Sequence, residues 1–119
     1  MDSWKTPNWL MKIFEDWFDP CPLNENWQVN GLKIEWKEKT FVNPPYSNPL
    51  PWIEKAIEES KKGKTIVLLL NVDTSTKWFA KLNESKSHFL WFAERLKFSE
   101  KNASPRPSML AILTKEDLK

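Results

Sequence analysis

Thr40-Phe41-Val42-Asn43-Pro44-Pro45-Tyr46 is a short apolar run that opens onto a proline-fixed tetrad. It reads as a buried strand whose carboxyl end is Asn43. Each proline biases the residue before it toward an extended conformation, so the chain leaves the strand along a rigid path. A second apolar run, Thr65 to Leu70, is continuous, as in a strand buried on both faces. Between the two, Trp52, Ile53, Ala56 and Ile57 form the apolar stripe of a helix from Trp52 to Lys62, with Gly63 as its stop. Buried strands separated by a helix predict an α/β sheet with parallel members. In such sheets ligands bind at the carboxyl ends of the strands, where Asn43 lies.

Outward from this unit, Thr6-Pro7 opens a helix, with Thr as cap and Pro in the first turn. Trp9, Leu10, Ile13, Phe14 and Trp17 recur at helical spacing. Phe18-Asp19-Pro20-Cys21-Pro22 ends it in an extended segment; if Trp17-Phe18 is a short strand, Asp19 is also at a carboxyl end. Asn24 to Gly31 reads as loop. Leu32, Ile34 and Trp36 alternate with Lys33, Glu35 and Lys37, the pattern of a half-buried strand or ribbon. Thr74 to Leu82 is predicted helical. His88 to Phe92 and Ser108 to Thr114 are predicted as a final antiparallel pair, separated by the polar loop Ser99 to Pro107. His88, at a strand start, reads as structural.

The 119 residues are enough for one domain with a real core, taken as 1–119 without a separate target-recognition domain. Hydrophobic residues make up 40% and charged residues 29%, and no apolar run approaches the ~20 residues that span a bilayer. Met1-Asp2-Ser3-Trp4-Lys5 lacks the apolar core of a signal peptide. Cys21 is the only cysteine, so no intrachain disulfide forms and a cytoplasmic, intracellular setting is expected, with no membrane partner. One histidine and one cysteine argue against structural zinc. The net charge of +2 neither announces nor forbids nucleic-acid binding. The eight tryptophans are read chiefly as core, with a few left to stack on bases.

The tetrad also carries chemistry. Pro44 and Pro45 offer backbone acceptors only, and the Asn43 side-chain oxygen with the Pro44 carbonyl make two fixed acceptors beside the aromatic face of Tyr46. That set suits a planar amino group such as the exocyclic amine of a nucleobase. Drawing both hydrogens toward fixed acceptors favours a pyramidal nitrogen and frees its lone pair, an effect that grows with the charge on nitrogen. The plain alternative is a turn, since Asn-Pro opens turns and Pro-Pro favours polyproline II. A hydroxyl at Thr6 and a carboxylate at Asp19 could grip the carboxylate and ammonium of an amino-acid ligand such as that end of S-adenosylmethionine; a helix cap and a turn carboxylate are their plain readings. Asp73-Thr74 either borders a cofactor or caps the next helix. Lys33, Lys37 and Lys39, and Lys97, Lys101 and Arg106, are candidate phosphate contacts or a solvated face. Lys61, Lys62 and Lys64 are read as answering a helix dipole.

Taken in order, these segments resemble the small phage-type DNA adenine-N6 methyltransferases. The matching residues are Asp2-Ser3-Trp4-Lys5-Thr6-Pro7, Phe18-Asp19-Pro20-Cys21 with Asn24 and Asn26, and Phe41 to Ser47. Asp73-Thr74 with Trp78-Phe79, Arg95-Leu96-Lys97-Phe98 and Pro107-Ser108-Met109 complete the set. The resemblance implies a compact, shortened Rossmann-like sheet with flanking helices that binds S-adenosyl-L-methionine and acts on DNA. It implies Trp4, Thr6, Asp19, Pro20, Cys21 and Asn43 near the cofactor, and Asn43, Pro44, Pro45 and Tyr46 at the target amine; of the basic residues, Lys37 and Lys101 are taken as the substrate contacts on their charge and position alone. The chain departs from the class in having no glycine-rich turn after Asp19; Glu25 and Glu35 are the candidates for a ribose-binding carboxylate. Cytosine-N4 methylation, protein glutamine methylation and an inactive nucleic-acid-binding relative remain alternatives, and a homodimer is an option for holding DNA.

Overall fold

The computed structural model describes residues 6–22, 30–85, 87–92 and 107–115. In chain order the described elements are α1 (Asn8–Ile13), β1 (Lys39–Val42), α2 (Leu50–Lys61), β2 (Thr65–Asn71), α3 (Lys77–Glu84), β3 (His88–Trp91) and β4 (Ser108–Leu113). Four strands form one mixed sheet in the order β1-β2-β4-β3. β1 and β2 are parallel, and β4 runs antiparallel to both of its neighbours, so the final pair β3–β4 is antiparallel as expected. Phe18 adds a parallel bridge outside β1, donating to the Lys39 carbonyl and accepting from the Phe41 N–H, each at 2.9 Å. The carboxyl ends of the Phe18 bridge, β1, β2 and β3 therefore share one edge.

Strand alternation sorts the core onto the two faces of this sheet. Val42, Leu68, Leu70, Met109 and Ala111 pack with Ile53 and Ala56 of α2 and Leu82 of α3. Phe41, Val67, Leu69 and Leu110 pack with Leu10 of α1. The all-apolar run of β2 is thus buried on both sides. Gly63 takes φ 100° just after α2, the left-handed residue that stops the helix. The Thr76 hydroxyl caps α3 by accepting from the Phe79 N–H at 3.2 Å. Among the described residues no helix is long and apolar enough to cross a membrane.

Three expectations are corrected. α1 ends at Ile13 and has no side-chain cap; Thr6 is bonded elsewhere, and Phe14 leaves the helix to stack on Phe41 at 4.5 Å. Residues 32–34 form a turn and bends and residues 35–37 have no regular structure, so the segment is not a strand. Their alternation is real, with Trp36 buried and Lys33, Glu35 and Lys37 exposed, but the Trp36 N–H goes to the Glu59 carboxylate at 2.7 Å instead of a ladder. The Trp36 indole N–H donates to the Gly31 carbonyl at 2.7 Å, and a Cβ on Gly31 would collide with the Pro20 carbonyl. The third correction is at Lys62 and Lys64, which face the fully buried Glu59 at 3.1 Å each rather than merely the helix dipole. Burial alone would raise the Glu59 pKa; the Trp36 N–H, Lys62 and Lys64 outweigh it and hold the group at about 2. Glu59 is therefore a clasp that fastens the 31–38 segment to α2.

Candidate active site

Asn43 follows β1 directly and is 8% exposed. Its Nδ2 donates to the Thr6 hydroxyl at 3.1 Å. That bond turns the amide nitrogen toward Thr6 and so turns Oδ1 the other way, as an acceptor of fixed direction. Thr6 keeps its own hydroxyl proton to donate. Pro44 is buried, while Pro45 and Tyr46 are half-buried at the mouth of the loop. Burial pushes the Tyr46 phenol up to about 12, so it stays neutral and presents a ring, not a charge.

Asp19 reaches the same edge through the Phe18 bridge. With Phe18 opposite Thr40, Asp19 lies one strand over from β1, roughly 8 Å from Asn43 in Cα position by strand spacing. Burial raises its pKa, and the Cys21 N–H bond to Oδ1 at 2.9 Å works against that. Pro20 is fully buried. Burial, with the neighbouring Asp19 charge second, pushes the Cys21 thiol up to about 11, so it is a neutral group and no nucleophile near neutral pH. Thr6, Asp19, Pro20, Cys21, Asn43, Pro44, Pro45 and Tyr46 are thus gathered at one sheet edge.

Other assigned residues lie elsewhere. Lys37 precedes β1 at the opposite, amino edge, with Nζ 5.3 Å from the Phe18 ring centroid. Glu35 pairs with Lys64 at 3.2 Å, also at the amino edge, which removes it as a carboxylate for this site. Trp4, Glu25 and Lys101 lie outside the described residues, as do Asn24, Asn26, Lys97 and Arg106.

A cleft of about 560 Å³ opens between the loop after β1 and the loop after β2. Tyr46, Asn71, Asp73, Thr76 and Trp78 line it. Asp73 bonds both the N–H and the hydroxyl of Ser75, and its carbonyl accepts from Thr76, so it shapes the turn while bordering the cleft. Asn71 and Trp78 escaped sequence reasoning as site residues. The signal was the polar Asn71 closing an otherwise apolar strand.

A family model described as DNA N-6-adenine-methyltransferase (Dam) matches residues 1–114. A DNA N-6-adenine-methyltransferase of Haemophilus phage HP1 (strain HP1c1) is 42% identical over 94 residues, covering 66% of this chain and 54% of the relative. One of Escherichia phage T1 is 28% identical over 131 residues, covering 97% of this chain and 55% of the relative. The chain spans about half the length of these curated relatives. No solved structure matches it.

Proposed function

The chain belongs to the DNA N-6-adenine-methyltransferase (Dam) family, and from that premise we propose that it methylates the exocyclic N6 amine of adenine in DNA, using S-adenosyl-L-methionine. The observation that carries the reading is the buried Asn43 amide, whose nitrogen is held by the Thr6 hydroxyl just after β1, with Pro44 next in the chain. Two acceptors of fixed direction at a strand's carboxyl end fit one NH₂ group. The strand order, with an antiparallel β4 between β2 and β3, supports a shortened Rossmann-like methyltransferase sheet.

Asn43 Oδ1 and the Pro44 carbonyl accept the two N6–H bonds and draw the amine toward a pyramidal, nucleophilic geometry. Positive charge grows on N6 as its lone pair forms the new C–N bond, so both acceptors bind the transition state more tightly than the ground state. The proton then leaves N6 for water. Tyr46 stacks on the extruded base, which must leave the duplex at a cost of a few kcal/mol. The donor set fits the cofactor's amino-acid end: Asp19 is a carboxylate for an ammonium, and Thr6 has a hydroxyl proton for a carboxylate. When bound, S-adenosyl-L-methionine would supply the electrophilic methyl group, whose bond to the sulfonium sulfur would break as the C–N bond forms and leave a neutral thioether. An intracellular setting follows from a DNA substrate, and a homodimer would add phosphate contacts that one protomer of net charge +2 lacks.

The test is to incubate the protein with cofactor and mixed-sequence duplex DNA, digest to nucleosides and identify the product by mass spectrometry. N6-methyladenine is expected. N4-methylcytosine instead would move the assignment to cytosine, and unmodified DNA with intact cofactor binding would mark an inactive relative.

A further inference from the structure

Asn71 Oδ1 and Ser108 Oγ are buried, and among the described residues neither has a hydrogen-bond partner. They are neighbours: Asn71 ends β2, Ser108 begins β4, and the two are paired across the strands. Ser108 is only 1% exposed. Unmade hydrogen bonds at buried atoms are costly, so a pair of them at the same edge calls for a cause. Alternation puts both side chains on the face of Leu69 and Leu110, the same face to which Phe41, and next Asn43, belong. β1 and β2 pair with Val42 opposite Leu68, which sets Asn71 one strand over from Asn43 and roughly 8 Å away in Cα position. Asn71 also lines the cleft shared by Tyr46 and Trp78.

We propose that Asn71 reads the ring of the target adenine, its side-chain amide donating to a ring nitrogen, and that Ser108 is the positioning residue that fixes this amide. This rests on the adenine-methylation reading. Asn43 and Pro44 accept from an amine and so treat adenine and cytosine alike. A second amide at a set distance from them distinguishes the two bases, because a purine reaches farther from its amino group than a pyrimidine does. When the base is seated, the Asn71 Nδ2–H bonds the ring nitrogen while the Ser108 hydroxyl donates to Asn71 Oδ1. Both orphaned oxygens then have partners, and their cost in the empty protein is recovered on binding the correct base.

The test combines two variants, Asn71→Ala and Ser108→Ala, with duplexes carrying adenine, 1-deazaadenine, 3-deazaadenine or 7-deazaadenine at the target. Asn71→Ala is expected to lower kcat/KM on adenine by about 10–100-fold. One of the three analogues should cost the wild type a similar factor and cost the variant nothing further. Ser108→Ala should lower kcat/KM less, yet leave Tm equal or higher, because a buried hydroxyl without a partner has been removed. Additive losses with all three analogues would overturn the assignment, as would a Ser108→Ala protein of lower Tm and unchanged kinetics, which marks a structural serine. A wild type that makes no N6-methyladenine fails the parent reading and this one with it; an active wild type with additive losses fails this one alone.

Discussion

At Asn43 the amide nitrogen donates to the Thr6 hydroxyl, which sets the direction of the amide oxygen. Asn43→Ala removes that acceptor, so methyl transfer should fall by about 10²–10³, as when one preorganised hydrogen-bond group is lost, while circular dichroism and cofactor binding are retained. Thr6→Val keeps the shape and loses only the bond, so the amide rotates and kcat should drop by a smaller factor than in Asn43→Ala; equal losses would assign Thr6 a direct contact with ligand. Tyr46 is neutral and half-buried, so it presents a ring face rather than a charge at the mouth of the loop. Tyr46→Ala should weaken base engagement by roughly 1–3 kcal/mol, and Tyr46→Phe should be near neutral in single-turnover assays. A Phe variant as poor as the Ala variant would rule out stacking as the explanation. At this scale the sequence was legible where chemistry is local. Asn43 to Tyr46 announce their acceptors by residue type and order. The Thr6–Asn43 bond crosses 37 residues and was hidden behind an ordinary helix cap. Asn71 was hidden by standing at the end of a strand read only for its apolar residues.

The elements that form the sheet were legible because hydrophobic runs and proline or glycine punctuation act locally: β1, β2, β4, α2 and the Gly63 stop follow the expected pattern within a residue or two. Residues 32–37 failed because alternation reports which side chains are buried, not where the backbone N–H groups go. Here a carboxylate 23 residues away took the Trp36 N–H. That substitution of partner makes Glu59 a pH-sensitive fastening. Its folded pKa, about 2, is below the unfolded value near 4.5. A depressed carboxylate contributes its full stability above the unfolded pKa and loses it as pH falls toward the folded one. Urea melts should therefore show stability falling from about pH 4.5 toward pH 2 in the wild type, with a shallower fall in Glu59→Gln. Glu59→Ala, which strands the Trp36 N–H and the facing lysines, should cost about 3–5 kcal/mol at pH 7. A wild-type stability flat through that acid window would mean that the clasp carries no charge.

For the whole molecule, the two edges of the sheet divide the labour. The carboxyl edge gathers Thr6, Asp19, Asn43, Tyr46 and Asn71; the amino edge carries Lys37 and the paired Glu35 and Lys64. Sequence alone set Lys37 toward the substrate, since spacing along a chain does not say on which edge a residue falls. The geometry separates it from the site by the length of β1, with Nζ over the Phe18 ring. Each phosphate neutralised by a lysine contributes about 0.9 to the slope of log affinity against log salt concentration. If duplex DNA lies along the carboxyl edge, Lys37→Ala leaves that slope within a small fraction of one contact and leaves the methylated base unchanged. Anisotropy titrations of a labelled duplex across a salt series measure this directly, with cofactor present so that the protein engages its target. A slope reduced by close to 0.9 in the Lys37 variant would place a phosphate over the amino edge. The DNA would then wrap from one edge of the sheet to the other, and the small net charge of +2 would be concentrated along a path that the strand ends alone do not mark.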